Sequence, residues 1–110
     1  MKSVLLSLFF IFSLFTSYVV CAVDYNSEIQ PIFNANCIGC HGGSGGLTLT
    51  SYSDLMGNDV VDPGNSAASK LIQKLKGTAS GSQMPKNQDP LNDTVINLIE
   101  TWINEGAKDN

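Results

Sequence analysis

Five consecutive residues combine two cysteines with a histidine: Cys37-Ile38-Gly39-Cys40-His41. His41 is the only histidine of the 110-residue sequence, and the one further cysteine is Cys21. On one helical turn, a C-x-x-C-H string lets each thiol add to a different vinyl group of one porphyrin while the adjacent imidazole reaches the iron. The string therefore predicts that Cys37 and Cys40 attach one haem c covalently, with His41 as the proximal iron ligand.

Three other uses of this string fit the rest of the chain less well. A thioredoxin-like dithiol belongs beside a βαβ pattern, which the sequence lacks. A structural zinc site needs four nitrogen or sulfur ligands, more than Cys37, Cys40 and His41 supply. A disulfide between the two cysteines would close a very short loop, stabilise little and leave the adjacent histidine unexplained.

The first 22 residues have the layout of a secretory signal. A positively charged start at Lys2 precedes an apolar run over residues 4–15, and Val20-Cys21-Ala22 resembles the small-residue site of a signal peptidase. We expect cleavage after Ala22, export to the periplasm and a single domain over residues 23–110, with no membrane span in the mature protein. An uncleaved signal anchor and a lipidated Cys21 stay open as membrane tethers.

The expected mature domain is too short to build a large apolar core. Residues 23–110 contain only four aromatic side chains, those of Tyr25, Phe33, Tyr52 and Trp102. Domains of this size usually depend on disulfides, a metal or a bulky cofactor. Ten acidic residues and five lysines give the mature part a charge of −5, so no basic surface for nucleic acid is expected.

Helical periodicity and Gly/Pro-rich loops predict an all-α fold of three to four short helices around the haem. The expected helices run from a capping box at 27–30 to Cys37, over 53–56, from Asn65 or Ser66 to Gly77, and from the cap Asn92 to Gly106. Five apolar side chains could contact the haem or pack between helices, and we expect packing for most of them: Leu47, Leu49, Ile72, Leu75 and Trp102.

The distal iron ligand is sought among the methionines because the sequence has no second histidine. Met56 and Met84 are the two methionines of the mature part, and a thioether pairs with histidine in electron-transfer cytochromes. Met84 lies in a loop between two helices, where Pro85 favours an extended backbone before it. Met56 fits better as an apolar side chain of a short helix. We predict Met84 as the distal ligand, with Met56 and an open iron as the alternatives.

Several strings, in this order along the chain, resemble the small class I monohaem cytochromes c, most closely the planctomycete-type cytochrome c domain. They are IFNANCIGCHG at 32–42, GGLTL at 45–49, VDPGN at 61–65, MP at 84–85 and WINEGA at 102–107. The resemblance implies an all-α fold in which the N- and C-terminal helices cross beside the haem. It also implies that Cys37 and Cys40 hold the haem, and that His41 and Met84 ligate its iron.

A haem with protein ligands on both faces leaves no position for a substrate, so we expect a one-electron carrier and not an enzyme. For an acidic chain the expected partners are periplasmic or cell-envelope redox proteins with a basic docking face, although acidity also fits solubility alone. The competing class is a haem-based sensor or peroxidase-like enzyme with an open sixth position. The sequence offers it no arginine and no second histidine for distal acid–base chemistry.

Overall fold

The computed structural model describes residues 22–42 and 47–110. A π-helical turn (Tyr25–Ile29) leads into helix α1 (Gln30–Asn36), and α2 (Ile38–His41), α3 (Tyr52–Met56), α4 (Lys70–Lys76) and α5 (Asp93–Asn104) follow. No strand occurs in these residues, which confirms the all-α prediction. The predicted signal segment lies outside the described residues up to Cys21. Among the described helices, none is both long and apolar enough to cross a bilayer.

The N-terminal helical segment starts one turn before the predicted capping box. The carboxylate of Asp24 accepts a hydrogen bond from the amide of Ser27 at 3.0 Å, and Glu28 accepts one from the amide of Asp24 at 2.7 Å. This reciprocal pair replaces the predicted box at 27–30, because a carboxylate at the cap satisfies the first free amides. The helix is interrupted at Cys37, where φ is −125°, so α1 and α2 are separate. The described residues therefore form five α-helices where three to four were predicted.

Helix α4 begins later than predicted. Its first residue is Lys70, and its N-cap is Ser69 in place of Asn65 or Ser66. The preceding residues form turns in which Ala67 and Ala68 are exposed. The buried face of α4 therefore consists of Leu71, Ile72 and Leu75 alone.

A buried serine explains this late start. The hydroxyl of Ser69, 1 % exposed, accepts a hydrogen bond from the amide of Asp62 at 2.8 Å and donates one to the carbonyl of Asn65 at 2.9 Å. The Asn65 carbonyl is thus used by a side chain, and the turns around it are fixed before the helix starts. Gly77, with φ of +73°, ends α4 as predicted.

Helix α5 begins where the sequence predicts, because the side chain of Asn92 accepts a hydrogen bond from the amide of Val95 at 2.9 Å. The helix ends one residue before its C-cap, Glu105, and Gly106 follows with φ of +111°. Its apolar face is buried at four positions, while Val95 and Leu98 are half-buried against the core; the buried four are Ile96, Ile99, Trp102 and Ile103.

The two ends of the described chain meet in an aromatic cluster. The ring centroid of Tyr25 lies 5.1 Å from that of Trp102 and 5.3 Å from that of Tyr52. The indole of Trp102 donates to the carbonyl of Lys108 at 2.9 Å, and the amide of Tyr25 donates to the side chain of Asn110, also at 2.9 Å. These contacts close the core around α5. On another side of the molecule, α2, α4 and the loop before α5 enclose a cavity.

Candidate cofactor site

The cavity between α2, α4 and the loop before α5 has a volume of about 540 Å³, a size typical of cofactor sites. All four residues predicted to bind haem line it: Cys37, Cys40, His41 and Met84. The surface of the cavity is mainly apolar. Six apolar residues line the rest of it, which are Leu47, Leu49, Val60, Leu71, Leu75 and Pro85. The six polar or cationic ones are Asn36, Asn58, Gln88, Lys70, Lys74 and Lys86. The residues present therefore fit a flat apolar group held by two thiols, an imidazole and a thioether.

The prediction that most of the five apolar side chains pack between helices is confirmed, since the buried core includes Leu49, Ile72, Leu75 and Trp102. Leu47, Leu49 and Leu75 also line the cavity, so they are placed to contact a bound haem. No residue of α5 is among those that line the cavity, and α5 packs against α4 and the N-terminal helical turn.

One hydrogen bond fixes the imidazole of His41. Its Nδ1 lies 2.9 Å from the backbone carbonyl oxygen of Leu47. Because a carbonyl can only accept, Nδ1 carries the proton and donates it, which leaves the lone pair on Nε2. Histidines that ligate metals commonly donate their other ring N–H in this way, which fixes both the tautomer and the ring orientation. His41 is therefore prepared to ligate a metal through Nε2.

The backbone around His41 is held from two sides. Its amide donates to the carbonyl of Cys37 at 2.9 Å, within the helical turn, and its carbonyl accepts from the amide of Leu49, also at 2.9 Å. Gly42 ends this turn, and a Cβ added there would lie 2.7 Å from the carbonyl oxygen of Ile38. Glycine at this position therefore lets the chain leave α2 directly after the histidine.

The two cysteines occupy one turn of helix, as the string predicts, since the amide of Cys40 donates to the carbonyl of Cys37 at 3.1 Å. Cys37 is half-buried, and Cys40 is exposed. Burial raises the pKa of the Cys37 thiol to about 11, and the nearby Cys40 adds to the rise. Without haem, Cys37 is thus a neutral thiol at physiological pH.

The loop that carries Met84 is attached to the C-terminal end of α4. The amide of Met84 donates to the carbonyl of Lys74 at 3.0 Å, and the side chain of Gln83 donates to the carbonyl of Leu75 at 2.9 Å. The ammonium of Lys74 donates to the carbonyl of Ser80 at 2.6 Å and lies 3.5 Å from that of Ser82. The last carbonyls of α4, which have no partner within a helix, thereby position the methionine at the cavity.

Sequence reasoning missed this use of Lys74. Its position near the end of a helix indicated only a favourable interaction with the helix dipole. No signal in the sequence shows that the loop folds back onto the ammonium. Met56, the other methionine, is partly buried against the core and is absent from the residues that line the cavity, in keeping with the packing role predicted for it.

Comparison with known proteins agrees with this site. Residues 37–88, which include both cysteines, His41 and Met84, match the family model described as Planctomycete cytochrome C. The solved structure of Kuenenia stuttgartiensis hydrazine synthase superimposes with a TM-score of 0.56 at 22% identity, and the alignment covers 77% of this chain and 16% of that one. At this identity the likeness concerns the fold alone. No curated protein matches the sequence. The part of the chain that holds both cysteines, His41 and Met84 thus matches a cytochrome c family, and this match supports a haem c protein.

Proposed function

We propose that the protein is an exported, periplasmic electron carrier with one haem c, attached through Cys37 and Cys40 and ligated by His41 and Met84. The observation that supports this most is that the four side chains, drawn from α2, its preceding residue and a loop more than forty positions away, line one cavity. A haem bound there would supply reversible one-electron chemistry at its iron.

The chain's own residues have separate tasks in this proposal. The thiols of Cys37 and Cys40 would hold the haem by adding across its two vinyl groups to give thioethers. Leu47 holds the imidazole of His41 through its carbonyl. Met84 offers a thioether from the α4 side. Thioether ligation and an apolar wall both favour the ferrous state. We therefore expect a positive midpoint potential.

An iron ligated by both His41 and Met84 would have no position left for a substrate, so we propose a carrier and not an enzyme. The likeness to hydrazine synthase supports no catalytic role here, because it is a likeness of fold over a small part of that chain. A sensor or peroxidase-like enzyme would need an open sixth position on the iron, whereas we propose that Met84 fills this position.

A redox titration of matched methionine variants tests the proposal. Met84→Leu removes the proposed ligand at nearly constant volume, and we expect its midpoint potential to fall clearly below that of the wild-type holoprotein. Met56→Leu makes the same change at a side chain packed against the core, and we expect the potential to stay where it was. A clearly negative wild-type potential, or a fall in Met56→Leu alone, would contradict ligation by Met84.

A further inference from the structure

A hydrogen bond joins the start of the expected mature chain to the end of α5. The backbone nitrogen of Val23 donates to Oε1 of Glu105 at 2.9 Å. Glu105 is the C-cap of α5, and Val23 is 8 % exposed within the core. Ala22, directly before it, is exposed. The nitrogen that meets the carboxylate therefore belongs to the peptide bond at which we expect cleavage, the one between Ala22 and Val23.

The position of this nitrogen is set by groups that follow it in the chain. The side chain of Val23 is buried in the core, and Tyr25 is 1 % exposed. Between these two residues, the amide of Asp24 donates to the carboxylate of Glu28 at 2.7 Å. Glu105 is fixed in turn because it caps α5. We therefore expect the nitrogen and the carboxylate to stay within hydrogen-bond distance when the preceding residues are removed.

The carboxylate of Glu105 lies where a cation is favoured. The C-terminal end of a helix carries a partial negative charge, so it stabilises cations and disfavours anions. The last turn of α5 contains no basic side chain. Within residues 22–42 and 47–110, the one ion pair joins Lys76 to Glu100, so no described side chain neutralises Glu105. A positive charge on the Val23 nitrogen would be stabilised by both the carboxylate and the helix end.

Cleavage after Ala22 places a positive charge on this nitrogen. In the hydrolysis, the C–N bond between Ala22 and Val23 breaks, and the oxygen of a water molecule bonds to the carbonyl carbon of Ala22. Ala22 leaves as a carboxylate with the signal segment. The two hydrogens of the water end on the nitrogen of Val23, which is an ammonium at neutral pH. A hydrogen bond between an ammonium and a carboxylate is stronger than one between an amide and a carboxylate.

We propose that removal of the first 22 residues creates an ion pair between the α-ammonium of Val23 and the carboxylate of Glu105, which makes the mature domain more stable than its precursor. The inference rests on the export part of the proposed function and is independent of the iron ligands. The pair adds a second link, besides the aromatic cluster, between the two ends of the described chain. A chain that keeps its signal segment has a neutral amide at this point and lacks the pair.

The first experiment determines where the exported chain begins. The full sequence is expressed in a host that attaches haem, and the intact mass of the purified protein is measured. We expect the mass of residues 23–110 plus one haem. A holoprotein that keeps its signal, or one that begins at a lipidated Cys21, has no ammonium at Val23 and overturns the proposal, while the haem site stands. Residues 23–110 without attached haem would instead contradict the proposed function, so the two failures are distinguishable.

Two holoproteins that differ only at the N-terminus test the ion pair. Both are exported with a cleavable signal of the host. One begins at Val23, and the other keeps Ala22 with two glycines before it, so that the Val23 nitrogen remains an amide. In the chain that begins at Val23, we expect Glu105→Gln to lower the thermal midpoint by about 4–8 °C, the shift that one such interaction produces in a domain of this size. In the extended chain the loss should be clearly smaller.

Glu28→Gln is the matched control. It makes the same chemical change at a carboxylate that accepts from the amide of Asp24, one residue after Val23. This amide is the same in both chains, so the variant should shift the midpoint equally in the two. An equal shift for Glu105→Gln in the two chains would show that the α-ammonium adds nothing, and the proposal would be overturned.

The two chains with unchanged side chains give a second readout, which does not depend on whether a variant folds. The chain that begins at Val23 should have the higher thermal midpoint, and added salt should reduce the difference because it screens the ion pair. Equal midpoints at low salt would overturn the proposal.

Discussion

At the scale of single residues, the ammonium of Lys74 holds the loop that carries Met84. It donates to the Ser80 carbonyl at 2.6 Å, while the backbone carbonyl of the same lysine accepts from the Met84 amide at 3.0 Å. One residue thus anchors the loop at two points, and the side-chain anchor can be removed without the backbone anchor.

We expect Lys74→Ala to weaken the attachment of Met84 without abolishing it. The lost hydrogen bonds correspond to about 1 kcal/mol at this partly exposed position. In a thermal scan of the ferric holoprotein, the weak thioether-to-iron band at the red end of the spectrum should disappear at a lower temperature than in the wild type. Lys70→Ala is the matched control, because Lys70 lies on the same helix and lines the same cavity. Equal effects of the two changes would contradict a positioning role for Lys74.

The buried phenol of Tyr25 makes the free energy of unfolding depend on pH in the alkaline range. Burial raises the pKa of its phenol to about 12, with a smaller contribution from nearby Asp109, and its hydroxyl donates to Gln30 at 2.5 Å. An unfolded tyrosine ionises near pH 10, so between about pH 10 and 12 the folded state holds a proton that the unfolded state has lost. The free energy of unfolding therefore decreases as pH rises through this window.

Tyr25→Phe should remove that part of the pH dependence. At neutral pH the variant loses one hydrogen bond, about 1 kcal/mol, but its stability should fall less steeply than that of the wild type above pH 10. Denaturant unfolding at pH 9, 10 and 11 measures both slopes. Parallel slopes for the two proteins would show that the phenol of Tyr25 does not carry the effect.

At the scale of elements, the start of α4 depends on Ser69. Its buried hydroxyl bridges the amide of Asp62 and the carbonyl of Asn65, and the helix that follows supplies Leu71, Leu75 and Lys74 to the cavity. The turn before the helix thus determines where one wall of the site stands.

We expect Ser69→Ala to lower the free energy of unfolding by about 1–3 kcal/mol, because it leaves the part-buried amide of Asp62 and the carbonyl of Asn65 without their partner. Ser66→Ala makes the same chemical change three residues earlier, at a serine whose backbone groups make its described hydrogen bonds, and it should cost much less. Urea unfolding of both variants measures the difference, and similar midpoints would contradict the role given to the Ser69 hydroxyl.

The sequence predicts a helix end correctly when the residue that sets it acts on its immediate neighbours in the chain. Asn92 and Gly77 act on adjacent residues, and both helix ends were predicted correctly. The start of α4 was not, since Ser69 acts on Asp62 and Asn65 through a turn that has no periodic pattern. The capping residue Asp24 was missed because Ser27 offered a matching pattern three residues later.

At the scale of the whole molecule, one set of residues forms the core that stabilises the fold, and another set forms the cavity that is the candidate cofactor site. The aromatic cluster of Tyr25, Tyr52 and Trp102 joins the two ends of the domain, while α2, α4 and the Met84 loop enclose the cofactor site. The sequence predicts that Cys37, Cys40 and His41 lie together, because one helical turn holds them. For Leu47, Leu49 and Leu75 it left haem contact and helix packing open. It did not place the lysines at the cavity, because only the tertiary fold brings them there.

The central claim is that one covalently attached haem has both axial positions filled, by His41 and Met84. The most direct test is the optical spectrum of the holoprotein, produced from the full sequence with its predicted signal segment in a host that attaches haem. It is recorded in both oxidation states and with carbon monoxide added to the ferrous form. We predict sharp reduced bands, a thioether-to-iron band in the ferric form and no change on addition of carbon monoxide. A carbon monoxide shift without the thioether band would contradict the claim and favour a sensor or an enzyme with an open sixth position.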